Sequence, residues 1–87
     1  AERTEANAVE KIESPMVGIF YEAQTPEDQP FVKVGDYVEA GDVVCLIEAM
    51  KLFNEITAEA AGRVTEICVT NGQVVEYGQV LMKLVRE

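Results

Sequence analysis

The chain repeats itself. Displaced by 37 residues, positions 34–47 lie over positions 71–84, and five of the 14 pairs are identical: Gly35/Gly72, Val38/Val75, Glu39/Glu76, Gly41/Gly78 and Val43/Val80. Composition alone yields about one such match, so the pattern marks a two-fold duplication. Each half reads as a glycine, a short apolar piece, a second glycine and a long apolar strand. The glycines suit turns at positive φ, which other residues resist. Two such halves can bury their inner faces only against each other. The expected fold is an all-β, pseudo-two-fold sandwich, flattened and closed toward a barrel.

From Ile12 onward, short runs of Val, Ile, Phe and Tyr are broken by Gly, Asp, Asn and Pro, and no stretch sustains a helical period. Strands are expected at residues 11–14, 18–21, 31–32, 43–50, 52–57, 62–69 and 80–86, with short pieces at 37–38 and 74–75. Glu48 and Lys83 mark the outward faces of the two long strands. Alternation then turns Val43, Cys45 and Ile47, with Val80, Met82 and Leu84, toward the core. Residues 1–11, AERTEANAVEK, are polar and alanine-rich and read as a flexible linker or tail, which leaves residues 12–87 as one domain. The chain does not begin with Met, which leaves open that it is an excised domain of a longer protein.

Sixteen acidic against seven basic residues leave a net charge of −9. That balance argues against nucleic acid as a partner, which needs clustered Lys and Arg, and equally against an anionic membrane surface. It favours basic partner surfaces, although acidity also serves solubility alone. There is no histidine, which excludes His-based nucleophilic catalysis and His-liganded metal sites, and no metal is expected. Cys45 and Cys68 stand in apolar runs without CxxC spacing and read as two buried thiols, in keeping with a reducing compartment, with a disulfide between them left open until their distance is known.

The halves differ in one place. Gly62 to Gly72 spans 10 residues, whereas Gly18 to Gly35 spans 17, so the first half carries 7 extra residues. They fall in residues 22–30, EAQTPEDQP, which are too polar for the core and are expected to protrude as a loop stiffened by Pro26 and Pro30. Physics alone slightly favours a tolerated surface insertion there.

Lys51 stands between two apolar strands with no Gly, Asn or Pro to separate them. A tight reversal lifts it to a hairpin tip, with Ala49, Met50 and Leu52 at its base. The matching position in the second half lies one past the chain end, so the tip has no counterpart and is expected opposite the termini. A catalytic lysine needs a depressed pKa from burial or a neighbouring cation, and neither is evident beside Glu48. An exposed tip lysine suits covalent attachment instead, because a modifying enzyme can reach it and a tethered group can swing. From the turn alone, an ordinary solvated lysine is the commoner case.

The surrounding words change that balance. Glu48-Ala49-Met50-Lys51 resembles the attachment motif of biotinyl domains. Residues 14–21, SPMVGIFY, resemble the opening of the biotin carboxyl carrier proteins of acetyl-CoA carboxylase. Residues 31–36, FVKVGD, resemble the segment after that family's thumb loop; residues 48–56, EAMKLFNEI, its attachment hairpin; residues 71–78, NGQVVEYG, its second-half turn. A lone A-M-K is weak, but four segments in register across residues 12–85 are specific.

The resemblance implies a flattened β-barrel or sandwich of two four-stranded antiparallel sheets with a thumb at residues 22–30. It implies biotin joined by an amide to Lys51, with Glu48, Ala49, Met50 and Leu52 as the recognition flank. Many members have Met where this chain has Leu52, a swap that roughly conserves volume. Bacterial thumbs often carry Thr where this chain has Ala23, which leaves Thr25 or backbone groups for any thumb contact to biotin. The implied function is that of a carrier, not an enzyme. A biotin protein ligase attaches the cofactor, and a biotin carboxylase uses ATP and bicarbonate to carboxylate a biotin ring nitrogen. A carboxyltransferase then passes the carboxyl group to acetyl-CoA, making malonyl-CoA for fatty acid synthesis. The setting implied is bacterial cytoplasm or plastid stroma, with oligomeric state left open, a dimer of the longer protein included. The rivals are a biotin carrier of another carboxylase or decarboxylase, a lipoyl carrier and an unmodified interaction module. The thumb disfavours the first. Met50-Lys51-Leu52, in place of the Asp-Lys-Ala typical of lipoyl domains, disfavours the second. The attachment words and the thumb together disfavour the third.

Overall fold

The computed structural model describes residues 9–86, and among them there is no helix. Eight strands follow in order: β1 (Val9–Glu13), β2 (Gly18–Tyr21), β3 (Tyr37–Val38), β4 (Val43–Ala49), β5 (Leu52–Thr57), β6 (Gly62–Ile67), β7 (Val74–Val75) and β8 (Val80–Val85). They form two four-stranded antiparallel sheets, β1-β8-β6-β3 and β5-β4-β2-β7. Strand pairing among the described residues stays within each sheet, so the molecule is a flattened sandwich rather than a closed barrel.

The core is drawn evenly from both halves. Phe20, Val38, Cys45, Ile47 and Ile56 meet Val64, Val75, Leu81, Met82 and Leu84 between the sheets. Each such side chain, fully buried, contributes roughly 1.5–3 kcal/mol of transfer free energy. Cys45 is among the most deeply buried, and burial pushes its thiol up to about 12. Cys68, expected inside as well, is exposed: β6 ends at Ile67, and Cys68 lies just beyond the strand.

The inner-face expectation needs one correction. Val43 and Val80 are only half-buried, and the next residues, Val44 and Leu81, are 1% and 0% exposed. Bulges cause this. Opposite β5 the register jumps between Val43 and Cys45, and opposite β1 it passes from Met82 to Val80. The extra residue in each strand, Val44 or Leu81, breaks simple alternation and turns into the core.

Strand limits also shift. β1 starts at Val9, inside the segment read as a linker; the rest of that segment, residues 1–8, lies outside the described residues. Residues 31–32 are not a strand, because the Phe31 amide donates to the Glu22 carbonyl (2.8 Å) and closes the neck of a loop.

Gly35, Gly41, Gly72 and Gly78 all sit at positive φ, between 83° and 100°. Each is the third residue of a four-residue turn, closed by an amide donating from the fourth residue to the first carbonyl at 2.9–3.1 Å. The fourth residue is Asp36, Asp42, Gln73 or Gln79. Its side-chain oxygen accepts the first residue's amide at 2.9–3.0 Å. Turn and side chain thus cap each other four times, at symmetry-related places.

Candidate functional site

β4 and β5 pair down to Ala49 and Leu52, which leaves Met50 and Lys51 as a two-residue loop. Both have positive φ, 53° and 67°, as a hairpin of this length requires. Asn and Gly normally fill such positions. Here each non-glycine residue stores strain on the order of 1 kcal/mol, offset by the strand pairing behind it. Lys51 is exposed and, among the described residues, makes no hydrogen bond or ion pair. Met50 is 93% exposed, and Leu52 also faces solvent. Ala49 is half-buried at the root. The tip therefore offers an unpaired amine flanked by exposed apolar side chains, a surface an enzyme can grip and a base from which a tether can move.

Glu48 lies on the outer face of its sheet, in a row with Ile19 and Phe53. Its Oε1 accepts a hydrogen bond from the Tyr21 hydroxyl at 3.1 Å. That bond, then desolvation and the carboxylate's charge, raise the Tyr21 pKa. The Tyr21 ring also meets that of Phe53, with centroids 5.7 Å apart and planes tilted by 53°. The sequence reading placed Glu48 in the motif but missed Tyr21 and Phe53 as its neighbours. The signal was slight: two aromatic residues 32 positions apart, aligned only once the strand register is known.

Residues 22–30 do protrude from the end of β2. The Phe31–Glu22 bond closes the neck, and an Asp28 amide to Thr25 carbonyl bond (3.1 Å) forms a turn within the loop. Across the halves, Asn71 Oδ1 accepts the Glu22 amide at 2.9 Å, an anchor the sequence did not reveal. Between the loop and Phe53 lies a cleft of about 200 Å³ lined by Tyr21, Ala23, Thr25, Pro26, Phe53 and Asn71. The structure thus brings Ala23 and Thr25 to a cleft to which the attachment hairpin contributes Phe53. Ala23 is half-buried and Thr25 exposed.

Comparison with known proteins fits this geometry. The family described as "Biotin-requiring enzyme" matches residues 10–84. The biotin carboxyl carrier protein of acetyl-CoA carboxylase from Nostoc sp. is 54% identical over 85% of this chain and 41% of its own length. The protein of that name from Porphyra purpurea is 55% identical over 84% of this chain and 46% of its own. The chain thus spans less than half the length of these curated relatives. Among solved structures, urea carboxylase of Kluyveromyces lactis superposes with a TM-score of 0.77 at 37% identity, covering 91% of this chain and 6% of that one. A single-chain, multi-domain long-chain acyl-CoA carboxylase superposes equally well, TM-score 0.77, at 26% identity over 91% of this chain and 7% of its own. With a duplicated sandwich, an exposed lysine at a strained tip and a family match across nearly all its residues, the chain belongs to the biotin-requiring-enzyme family.

Proposed function

We propose that the chain is the biotin carrier domain of an acetyl-CoA carboxylase and that Lys51 bears the cofactor in amide linkage. The observation that carries this reading is the exposed Lys51 amine, unpaired among the described residues, at a two-residue tip within the Glu48-Ala49-Met50-Lys51 sequence. Biotin, once bound, supplies a ring nitrogen that can hold a carboxyl group. The chain's own residues do the rest. The Met50–Lys51 turn holds the root of the arm clear of the sheets, and Ala49, Met50 and Leu52 frame it for a biotin protein ligase. Conversion of the ammonium to an amide removes a strongly hydrated charge from that root. Tethering then places the carried group before a biotin carboxylase and a carboxyltransferase in turn, at an effective concentration set by reach. The net charge of −9 suits basic docking surfaces on those partners. A reducing compartment, bacterial cytoplasm or plastid stroma, is consistent with the free Cys45.

The cleft beside Phe53 is proposed as a resting place for the biotin ring, with thumb backbone groups or Thr25 as hydrogen-bonding partners. A contact of about 1 kcal/mol would order the ring and still release it often enough for transfer. The test of the carrier reading is direct: incubation with biotin, ATP and a biotin ligase, followed by avidin probing and peptide mass spectrometry. Label on Lys51 is expected; an unlabelled chain refutes the reading.

A further inference from the structure

Three elements of the first half meet on the outer face of the β5-β4-β2-β7 sheet. Tyr21 ends β2 where the thumb begins, Glu48 lies one residue before the end of β4, and Phe53 faces Glu48 from β5. Leu46, the cross-strand partner of Tyr21, is buried beneath them although it points away from the core between the sheets. The Tyr21 hydroxyl reaches diagonally to Glu48, and its ring rests against Phe53. This small cluster fixes where the Glu48 carboxylate goes. It goes to the sheet face, and Lys51, three residues on, is left without a partner among the described residues.

That arrangement has a chemical consequence. Two long, flexible side chains of opposite charge, three residues apart across a tight turn, can meet unless something holds one of them. An ammonium beside a carboxylate keeps its proton more tightly. Acylation needs the free amine: its lone pair forms the new bond to the carboxyl carbon of an activated acyl donor, an acyl-adenylate. The adenylate leaves with the electrons of the broken bond, and the amine's proton passes to solvent. A wandering Glu48 would oppose that step.

We propose that Tyr21 is a positioning residue for the modification of Lys51, its hydroxyl holding the Glu48 carboxylate on the sheet and off the Lys51 ammonium. The inference rests on the reading of Lys51 as the biotin acceptor. Among the described residues, the other titratable groups facing this cluster are Glu22 and Asp28 of the thumb and Glu55 of β5, all carboxylates.

The experiment compares ligase-catalysed biotinylation of the apo chain and its Tyr21→Phe variant from neutral to mildly alkaline pH. Phe keeps the ring against Phe53 and removes only the hydroxyl, so the thermal unfolding temperatures should nearly coincide. The pH–rate profile of Tyr21→Phe should move up by about half a unit, with kcat/KM at neutral pH lower by about three-fold, the size of an exposed ion pair. In a Glu48→Gln background the same substitution should leave the profile in place. An independent measurement needs only the Glu48→Gln chain: the Lys51 side-chain titration followed by NMR should match the parent's, since Glu48 is already held away. Superimposed profiles for the parent and Tyr21→Phe overturn the proposal, as does a shift that persists without the Glu48 charge. A Lys51 titration that falls in Glu48→Gln overturns it as well. A parent chain that the ligase leaves unlabelled overturns the biotin reading itself, and the proposal with it.

Discussion

In the first half, a Cβ built on Gly18 would stand 2.5 Å from the carbonyl oxygen of Glu48; in the second, one built on Gly62 would stand 2.7 Å from that of Val85. Under the 37-residue displacement, Glu48 and Val85 are equivalent positions, as are the bulged Val44 and Leu81 and the four glycine turns. The backbone of the two halves thus matches at these turns, bulges and close approaches. The outer faces do not. Leu46, the cross-strand partner of Tyr21, is buried, whereas its equivalent, Lys83, is partly exposed and pairs with Glu66 at 3.5 Å. What the fold demands is kept twice, and what one half does alone is written on the outside of that half.

The comparison breaks most sharply at Lys51. Lys51→Arg should fold as the parent does and accept no biotin at all, whereas Lys83→Arg should label fully; intact-mass spectrometry after ligase treatment decides both. Biotin on Lys11, Lys33 or Lys83 would falsify the assignment.

Next in size are the close approaches. Gly18→Ala and Gly62→Ala should each lose about 2–3 kcal/mol by denaturant unfolding, because the new methyl must displace backbone rather than a movable side chain. Near-equal losses support the shared backbone; a harmless Gly62→Ala would break it. Gly72→Ala and Gly78→Ala meet open space, so only their φ strain counts, somewhat more than about 1 kcal/mol.

A third difference is one of titration. Cys45 is equivalent to Met82, and both are buried, but only the thiol can ionise. Its pKa lies at about 12 in the folded chain against a reference of 9.0, so the folded state holds the proton more tightly. The associated stability is complete below pH 9 and declines as pH rises from there toward 12, by at most about 1.4 kcal/mol per pH unit. Cys45→Ala should be less stable than the parent at neutral pH and should lack that alkaline decline. Parallel stability–pH curves would show that the thiol does not contribute.

The smallest effect on stability belongs to the thumb. Removing the 7-residue excess should change unfolding free energy by less than about 1 kcal/mol, since surface loops close at little entropic cost. It should nonetheless free the biotin ring, seen as faster NMR relaxation in the holo protein, with Lys51 still labelled. Equal ring mobility in the two chains would leave the thumb with no role in holding the arm.

The sequence disclosed the duplication, the glycine turns, the hairpin and the protruding loop, because each depends on residues close in the chain or on the fixed displacement. It misled at Val43 and Val80 for an instructive reason. Both halves carry the same bulge at the same place, so comparing one with the other conceals it. The cap residues Asp36, Asp42, Gln73 and Gln79 were legible, since a short polar acceptor follows every one of these glycines, but identity matching passed over the Asp/Gln exchange. Tyr21 with Glu48, and Asn71 with Glu22, were not legible at all. They join residues 27 and 49 positions apart, and only strand order brings them together.

Met50 and Lys51 occupy left-handed backbone without the help of glycine. A glycine pair would reach that geometry with less strain, but it would also visit many others. The β-carbons at the tip narrow those choices, so an arm attached at Lys51 would turn about a fixed pivot. All the freedom of the arm then lies beyond the lysine Cα, and its sweep is a cap about one point rather than a blur about several. Under the proposed carrier reading, two active sites that each have to catch the same ring would gain more from that than from a looser, longer reach. A Met50→Gly change would relieve part of that strain and make the tip the less accurate pointer.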